Sequence, residues 1–334
     1  MLLPECFPNP GKLRDHADSE IRYRPRHVFP LNPLPHRMTN TGNHLPTGLA
    51  IGPMRTGSTW LHEYLLRRND VCLPRGVKET FYFTANYGKG EEWYGRHFSH
   101  HDPLRHRVTI EVCPTLFQHR EVIGRVRKTL GEPMLLVTLR DPVDRAWSHY
   151  MHLRQHGETS LDFDGAAREI PSIVVPGLYA RHLSHWLDEF GQQRIRVLFY
   201  DELKDHPEEY IRKIDETFGL PEVSLASLPG EKTNSGRAPY NPALAKIIYR
   251  AKAKLHNNGL HWVVNAGKRI GLSNVIWGKA GERAKPSLPM SSATRSYLVE
   301  QFSPGVEELE KLLGVNLDSW RRKWTMPREQ SNRA

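Results

Sequence analysis

The chain has 334 residues, of which 38% are hydrophobic and 25% charged, with a formal net charge of +10 and a pI near 9.5. This is the composition of an ordinary globular protein long enough to bury a sizeable core. The excess of cations favours an anionic ligand, an acidic polymer or an acidic membrane surface, with solubility alone as the plainer explanation.

Nucleic-acid-binding signatures are missing, so the expected partners do not include nucleic acid. Cys6, Cys72 and Cys113 are scattered without metal-ligand spacing, and their odd, low number fits a reducing compartment better than a disulfide framework. Met1-Leu2-Leu3 runs straight into Pro4 and Glu5, and no run of about 18 apolar residues occurs anywhere. The expectation from these features is a soluble, cytoplasmic protein without a metal site.

Residues 1–45 are rich in Pro, His, Arg and Asn and read as an extended N-terminal arm, with 46–334 as a single domain. The apolar run at Leu49–Ile51 reads as a buried strand that breaks at Gly52-Pro53, and Leu61, Leu65 and Leu66 then recur at helical spacing. Between strand and helix, Gly52 and Gly57-Ser58-Thr59 keep the spacing of a Walker A loop with one change. Ser58 stands where a nucleotide-triphosphate loop has its Lys, and the cation lies inside the loop at Arg55. That arrangement suits a short 5′-anion gripped by backbone amides, hydroxyls and one guanidinium. A plain glycine turn is the alternative.

Val71 onward reads as a short strand, a turn at Pro74–Gly76, and a segment ending in Phe81-Tyr82-Phe83. Glu79 lies between Lys78 and those aromatics, so it is either a base whose proton affinity is raised by apolar surroundings or a surface carboxylate paired with Lys78. Trp93–Phe98 predicts a short helix, Arg107–Val112 a strand, Gln118–Leu130 an amphipathic helix and Met134–Leu139 a central parallel strand. That last strand empties into Arg140-Asp141-Pro142. Pro142 stands at a helix start with Asp141 as N-cap, and Ser148 and His152 follow on one helical face. Arg140 and Ser148 make a sensible pair for a phosphomonoester, and a capped helix bearing surface charges is the bland reading.

A helix over 176–190, a strand over 195–200 and, after a turn, a helix from Pro207 complete an alternation that predicts a three-layer α/β/α fold of the P-loop type around a parallel sheet. The polar loop Ser235-Gly236-Arg237 follows. A basic, aromatic-containing helical excursion then covers about 243–290, either an acidic-membrane or acceptor surface or a solvated excursion, and a helix pair runs from Ser291 to Trp320.

Taken together, these residues resemble the sulfotransferases that use 3′-phosphoadenosine 5′-phosphosulfate (PAPS), in particular the heparan sulfate enzymes and their bacterial relatives. Arg55-Thr56-Gly57-Ser58-Thr59-Trp60 is similar to the family's 5′-phosphosulfate loop, and Arg140-Asp141-Pro142 through Ser148 to its 3′-phosphate element. His152 falls where several saccharide enzymes carry an active-site His. Lys78-Glu79-Thr80-Phe81-Tyr82-Phe83 is similar to the segment whose Glu is the base, and Ser235-Gly236-Arg237 to a late cofactor loop. Arg55 and Ser235 stand where the family usually has Lys, and Val112 replaces a Lys that some saccharide enzymes use.

The resemblance implies sulfuryl transfer from PAPS, leaving PAP, to a hydroxyl or amine of a saccharide, lipid or small metabolite, with no metal. Glu79 would be the base and Arg55 and His152 would stabilise charge, while Lys78, Phe81 and Phe83 would line the acceptor cleft. The rival readings are a P-loop kinase with a degenerate first loop and a non-catalytic anion- or glycan-binding protein on the same scaffold.

Overall fold

The computed structural model describes residues 37–224 and 289–325. The late loop Ser235-Gly236-Arg237, the basic segment at 243–290 up to residue 288, and most of the N-terminal arm lie outside the described residues. Five parallel strands form one sheet in the order β2-β3-β1-β4-β5, where β1 is Gly48–Gly52, β2 Val71–Cys72, β3 Val108–Val112, β4 Met134–Leu139 and β5 Ile195–Phe199. β1 lies at the centre, pairing Leu49 with Glu111 on one side and with Leu135 on the other. All strands run the same way, so every loop leaving a carboxyl end emerges on one edge.

The strands are apolar because both faces of the sheet are covered. On one face Ala50, Ile110, Val112, Leu136 and Leu198 pack with Leu61, Tyr64 and Leu65 of α1 (Ser58–Leu66). Tyr210, Ile211, Ile214 and Phe218 of α8 (Pro207–Phe218) close that side. Residues one step along each strand, such as Leu49, Ile51, Leu135 and Val137, point to the other face. There they meet α3 (Arg120–Leu130), α4 (Pro142–Gln155), α6 (Tyr179–Phe190), α9 (Ser292–Leu313) and α10 (Asp318–Thr325). This is the three-layer parallel architecture expected from the alternation of elements.

Three short helices fill the connections: α2 (Gly90–Gly95), α5 (Phe163–Glu169) and α7 (Tyr200–Asp205). The sequence reading contained no α5 and treated the start of α7 as a turn. Asp162 caps α5 through the Gly165 amide, a signal that was present but short. The helix pair at 291–320 forms as α9 and α10, and Trp320, 1% exposed, seals the far side of the sheet with its indole bonded to Asp201 at 3.0 Å. No helix among the described residues is long and apolar enough to cross a membrane.

Several histidines are folded into this structure as neutral rings. Burial, then Arg145 and Arg55, push His149 down to about 3. His182 is driven to about 4, chiefly by burial. A ring with an ordinary value of 6.5 then binds its proton more readily in the unfolded chain, so its contribution is complete above that value and is lost as pH falls through it. Buried Asp141 and Asp215, raised to about 7 and about 6, act in the opposite sense. The histidine effect is therefore read as a difference: between pH 7 and pH 5, a His149→Gln/His182→Gln double variant should lose less unfolding free energy than wild type, by roughly 1–2 kcal/mol per ring. Urea titrations at both pH values check this, and parallel losses in the two proteins would contradict it.

Candidate functional site

Three loops converge on the carboxyl edge of the sheet, at the crevice where connections leave β1 in one direction and β4 in the other. The first, Pro53–Gly57, links β1 to α1. Its two flanking glycines are demanded by geometry. Gly52 has φ +104°, and a Cβ there would lie 2.2 Å from the Pro114 carbonyl oxygen. Gly57 has φ +93°, and its Cβ would lie 2.4 Å from the Tyr200 ring. Arg55 itself takes φ +71°, a conformation that costs a non-glycine residue energy.

Thr56, fully buried, holds this shape. Its hydroxyl donates to the Pro53 carbonyl at 2.7 Å and lies 2.9 Å from the Thr138 hydroxyl on β4. With its one proton committed to Pro53, it accepts from Thr138. The hydroxyl of Thr56 therefore secures the loop rather than facing a ligand. α1 begins at Ser58 with no side-chain cap, so the N–H groups of its first turn are left for an anion. Trp60 is half-buried beside the loop, stacked on Tyr64 and edge-on to Tyr210.

The second loop is the Arg140-Asp141 step from β4 to α4. Asp141 caps the helix as the sequence predicts, accepting from the amides of Val143 at 2.9 Å and Asp144 at 3.3 Å. The Trp324 indole of α10 donates to both of its carboxylate oxygens at 3.1 Å, and the Tyr179 hydroxyl donates to the Arg140 carbonyl at 2.8 Å. The backbone beneath Arg140 is thus held from several sides. Its guanidinium lies over the Tyr200 ring, 5.8 Å from the centroid, and that ring in turn packs on Gly57.

The two anion elements meet directly. Nε of Arg55 donates to the Ser148 hydroxyl at 3.1 Å. Partial desolvation, then the neighbouring Arg140, lower the proton affinity of Arg55. Among the described residues neither arginine has a carboxylate partner. Behind them Arg145, fully buried, donates to the Ile173 carbonyl, while among the described residues its Nε and Nη1 have no partner. A mouth with this much uncompensated positive charge is built for a polyanion.

His152 is half-buried on the same helix face, and burial, then His156, Arg55 and His149, push it down to about 3. It is a neutral imidazole in the free protein, able to offer one N–H.

The third contribution comes from Lys78 and Glu79. Lys78 Nζ reaches the Ser58 hydroxyl at 3.2 Å and the Glu79 carboxylate at 3.4 Å, so it joins the phosphate-type loop to the candidate base. Glu79 is largely buried; burial raises its proton affinity and Lys78 opposes the rise. Both sequence alternatives for this carboxylate are therefore present at once: it is buried and it is paired.

One expectation for the acceptor wall, Phe83, needs correction. Phe83 is 1% exposed and Tyr82 2%, and both pack edge and face against Tyr94 in the core. A buried ring cannot line a cleft. Phe81 alone of the three remains partly exposed, in a left-handed conformation with φ +53°. Sequence reasoning missed Tyr200, Thr138, Glu111 and Trp324 as supports of the site. Each acts across a long sequence separation that no local pattern reports.

Comparison with known proteins agrees with this geometry. A sulfotransferase domain model matches residues 46–229, just over half of the chain. The chain is 27% identical over 307 residues to the bifunctional heparan sulfate N-deacetylase/N-sulfotransferase 4 of Mus musculus, covering 85% of this chain and 32% of that protein. It is 26% identical over 310 residues to the corresponding protein 3 of Homo sapiens, with the same coverage. It thus spans about a third of the length of these relatives. Among solved structures, the sulfotransferase from Alicyclobacillus acidocaldarius superposes with a TM-score of 0.59 at 20% identity, covering 83% of this chain and 99% of that one, which shows a shared fold. The kinase and non-catalytic readings gain nothing from these matches. A mouth lined by two coupled anion elements, in a chain that matches the domain model through both of them, places this protein in the sulfotransferase family.

Proposed function

We propose that this sulfotransferase carries the sulfuryl group of PAPS to an amine or hydroxyl of a saccharide acceptor, with Glu79 as the general base. The observation that supports this reading best is the Arg55–Ser148 hydrogen bond. It unites the loop fitted to a 5′-phosphosulfate with the helix fitted to a 3′-phosphate, and Lys78 extends the same mouth to Glu79. The fit to a bisphosphorylated donor rests on the arginines without acid partners and on a glycine-flanked loop whose helix lacks a side-chain cap.

When bound, PAPS supplies a sulfuryl group already attached to a phosphate leaving group, and PAP is what remains. The protein's part is orientation and charge. The first-turn amides of α1 and the Arg55 guanidinium hold the 5′ end, while Arg140 and the Ser148 hydroxyl hold the 3′-phosphate and set its register. Glu79 accepts the acceptor proton as the new bond to sulfur forms and the bond from sulfur to the phosphate oxygen breaks. Lys78, next to Ser58, and the N–H of neutral His152 face the oxygens on which charge develops.

A saccharide acceptor is supported by the alignment with proteins named for heparan sulfate N-deacetylation and N-sulfation. Phe81, the one aromatic of its run that stays partly exposed, would be the one to touch such an acceptor.

Glu79→Gln should lower kcat by roughly a hundredfold with PAP affinity nearly unchanged. Label transfer from PAPS to a panel of oligosaccharides with free glucosamine amines, oligosaccharides with hydroxyls only, and simple phenols measures this and identifies the acceptor class. Near-normal turnover in Glu79→Gln would reject the base assignment.

Arg140→Ala should weaken PAP binding by roughly 10- to 100-fold, and Ser148→Ala by a smaller factor. Calorimetry with PAP decides this. Unchanged affinity in Arg140→Ala would dismiss the 3′-phosphate role.

A further inference from the structure

Directly behind the Lys78-Glu79-Thr80 segment stands a carboxylate that the mechanism above does not use. Glu111 is the fourth residue of β3, 1% exposed, and turned away from the face that Ile110 and Val112 present to α1. It accepts from the Thr80 amide at 2.7 Å, the Thr80 hydroxyl at 2.8 Å and the Tyr94 hydroxyl at 2.6 Å. Among the described residues it has no ion pair. A buried carboxylate without a cation is costly, and here three donors offset the loss of water.

The donors are not evenly shared. Two of the three belong to Thr80, the residue that follows Glu79. The Thr80 hydroxyl gives its proton to Glu111 and accepts from the Tyr82 amide at 3.1 Å, and the Thr80 carbonyl accepts from Asn86 Nδ2 at 2.9 Å. Every polar group of this one residue is engaged, and Phe81 after it is held at φ +53°. A peptide bound so completely leaves the Glu79 backbone little freedom.

We propose that Glu111 is a positioning residue for the catalytic base: by holding both the amide and the hydroxyl of Thr80, it fixes the peptide that carries Glu79 and aims that carboxylate into the mouth. This rests on Glu79 being the base. The groups that face Glu79 are Lys78 at 3.4 Å, Cys113 with its sulfur at 4.0 Å, and Glu111 behind it. Those that face Glu111 are Tyr94, Cys113 and Glu79. Burial raises the proton affinity of Glu111, its three donors oppose the rise, and Glu79 adds to it.

The test is transfer from PAPS to an oligosaccharide bearing free glucosamine amines, with PAP affinity measured in parallel. In Glu111→Ala, kcat should fall roughly 10- to 100-fold while PAP affinity and the KM for PAPS stay within threefold. Glu111→Gln keeps an acceptor oxygen for Thr80 and removes the charge. It should retain most of kcat. Should Glu111→Ala not fold, Thr80→Val removes the hydroxyl donor and should lower kcat, and Thr80→Ser should restore it.

Turnover within twofold of wild type in Glu111→Ala or Thr80→Val overturns the proposal, as does a fall in kcat matched by an equal loss of PAP affinity. Glu79→Gln is assayed alongside. If it alone stays active, the base assignment has failed; if it is inactive while Glu111→Ala is fully active, only the positioning role has failed.

Discussion

One hydrogen bond, from the guanidinium of Arg55 to the hydroxyl of Ser148, is the contact on which the site depends. Its two ends belong to elements that leave adjacent strands, β1 and β4, and the parallel sheet brings those exits to one edge. The bond is modest in itself, yet it sets the spacing between a loop shaped for one phosphate-like group and a helix shaped for another. Everything else in the mouth serves that spacing. Tyr200 fills the space over Gly57 and supports Arg140, Thr138 braces Thr56, and Asp141 ties down the start of α4.

The charge balance of the mouth follows from this arrangement. Arg55, Arg140 and buried Arg145 repel one another, and among the described residues none is paired with an acid. In an empty protein that is an unfavourable arrangement, tolerated because the surrounding core is large and both faces of the sheet are covered. A ligand carrying phosphate groups at both ends would relieve the repulsion as it binds. Stability and affinity are thereby linked, which is common where a fold keeps like charges together for function.

Much of this was legible in the sequence, and the reason is locality. The strand–loop–helix units at 48–66 and 134–155 announce themselves through apolar runs, through Gly52 and Gly57, and through the Asp141-Pro142 start signal, all readable within a few residues. Side-chain direction was not legible in the same way. Phe81-Tyr82-Phe83 reads as one aromatic patch, but only the packing of α2 decides that Tyr82 and Phe83 face inward. Glu111 looks like an ordinary polar position in an alternating strand until Thr80 and Tyr94 are brought against it. The helix α5 was lost because it is short and its cap is the only strong signal.

The grip of Trp324 on Asp141 has a consequence for how the molecule is made. These partners are 183 positions apart, and α10 closes onto α4 only after the intervening chain has been laid down. During synthesis the first anion loop, near residue 52, leaves the ribosome early and waits with its companion helix start uncovered on one side. Completion of the mouth is therefore postponed until Trp324 arrives. A nascent chain caught before that moment would hold the sheet and most of its helices around an unfinished mouth.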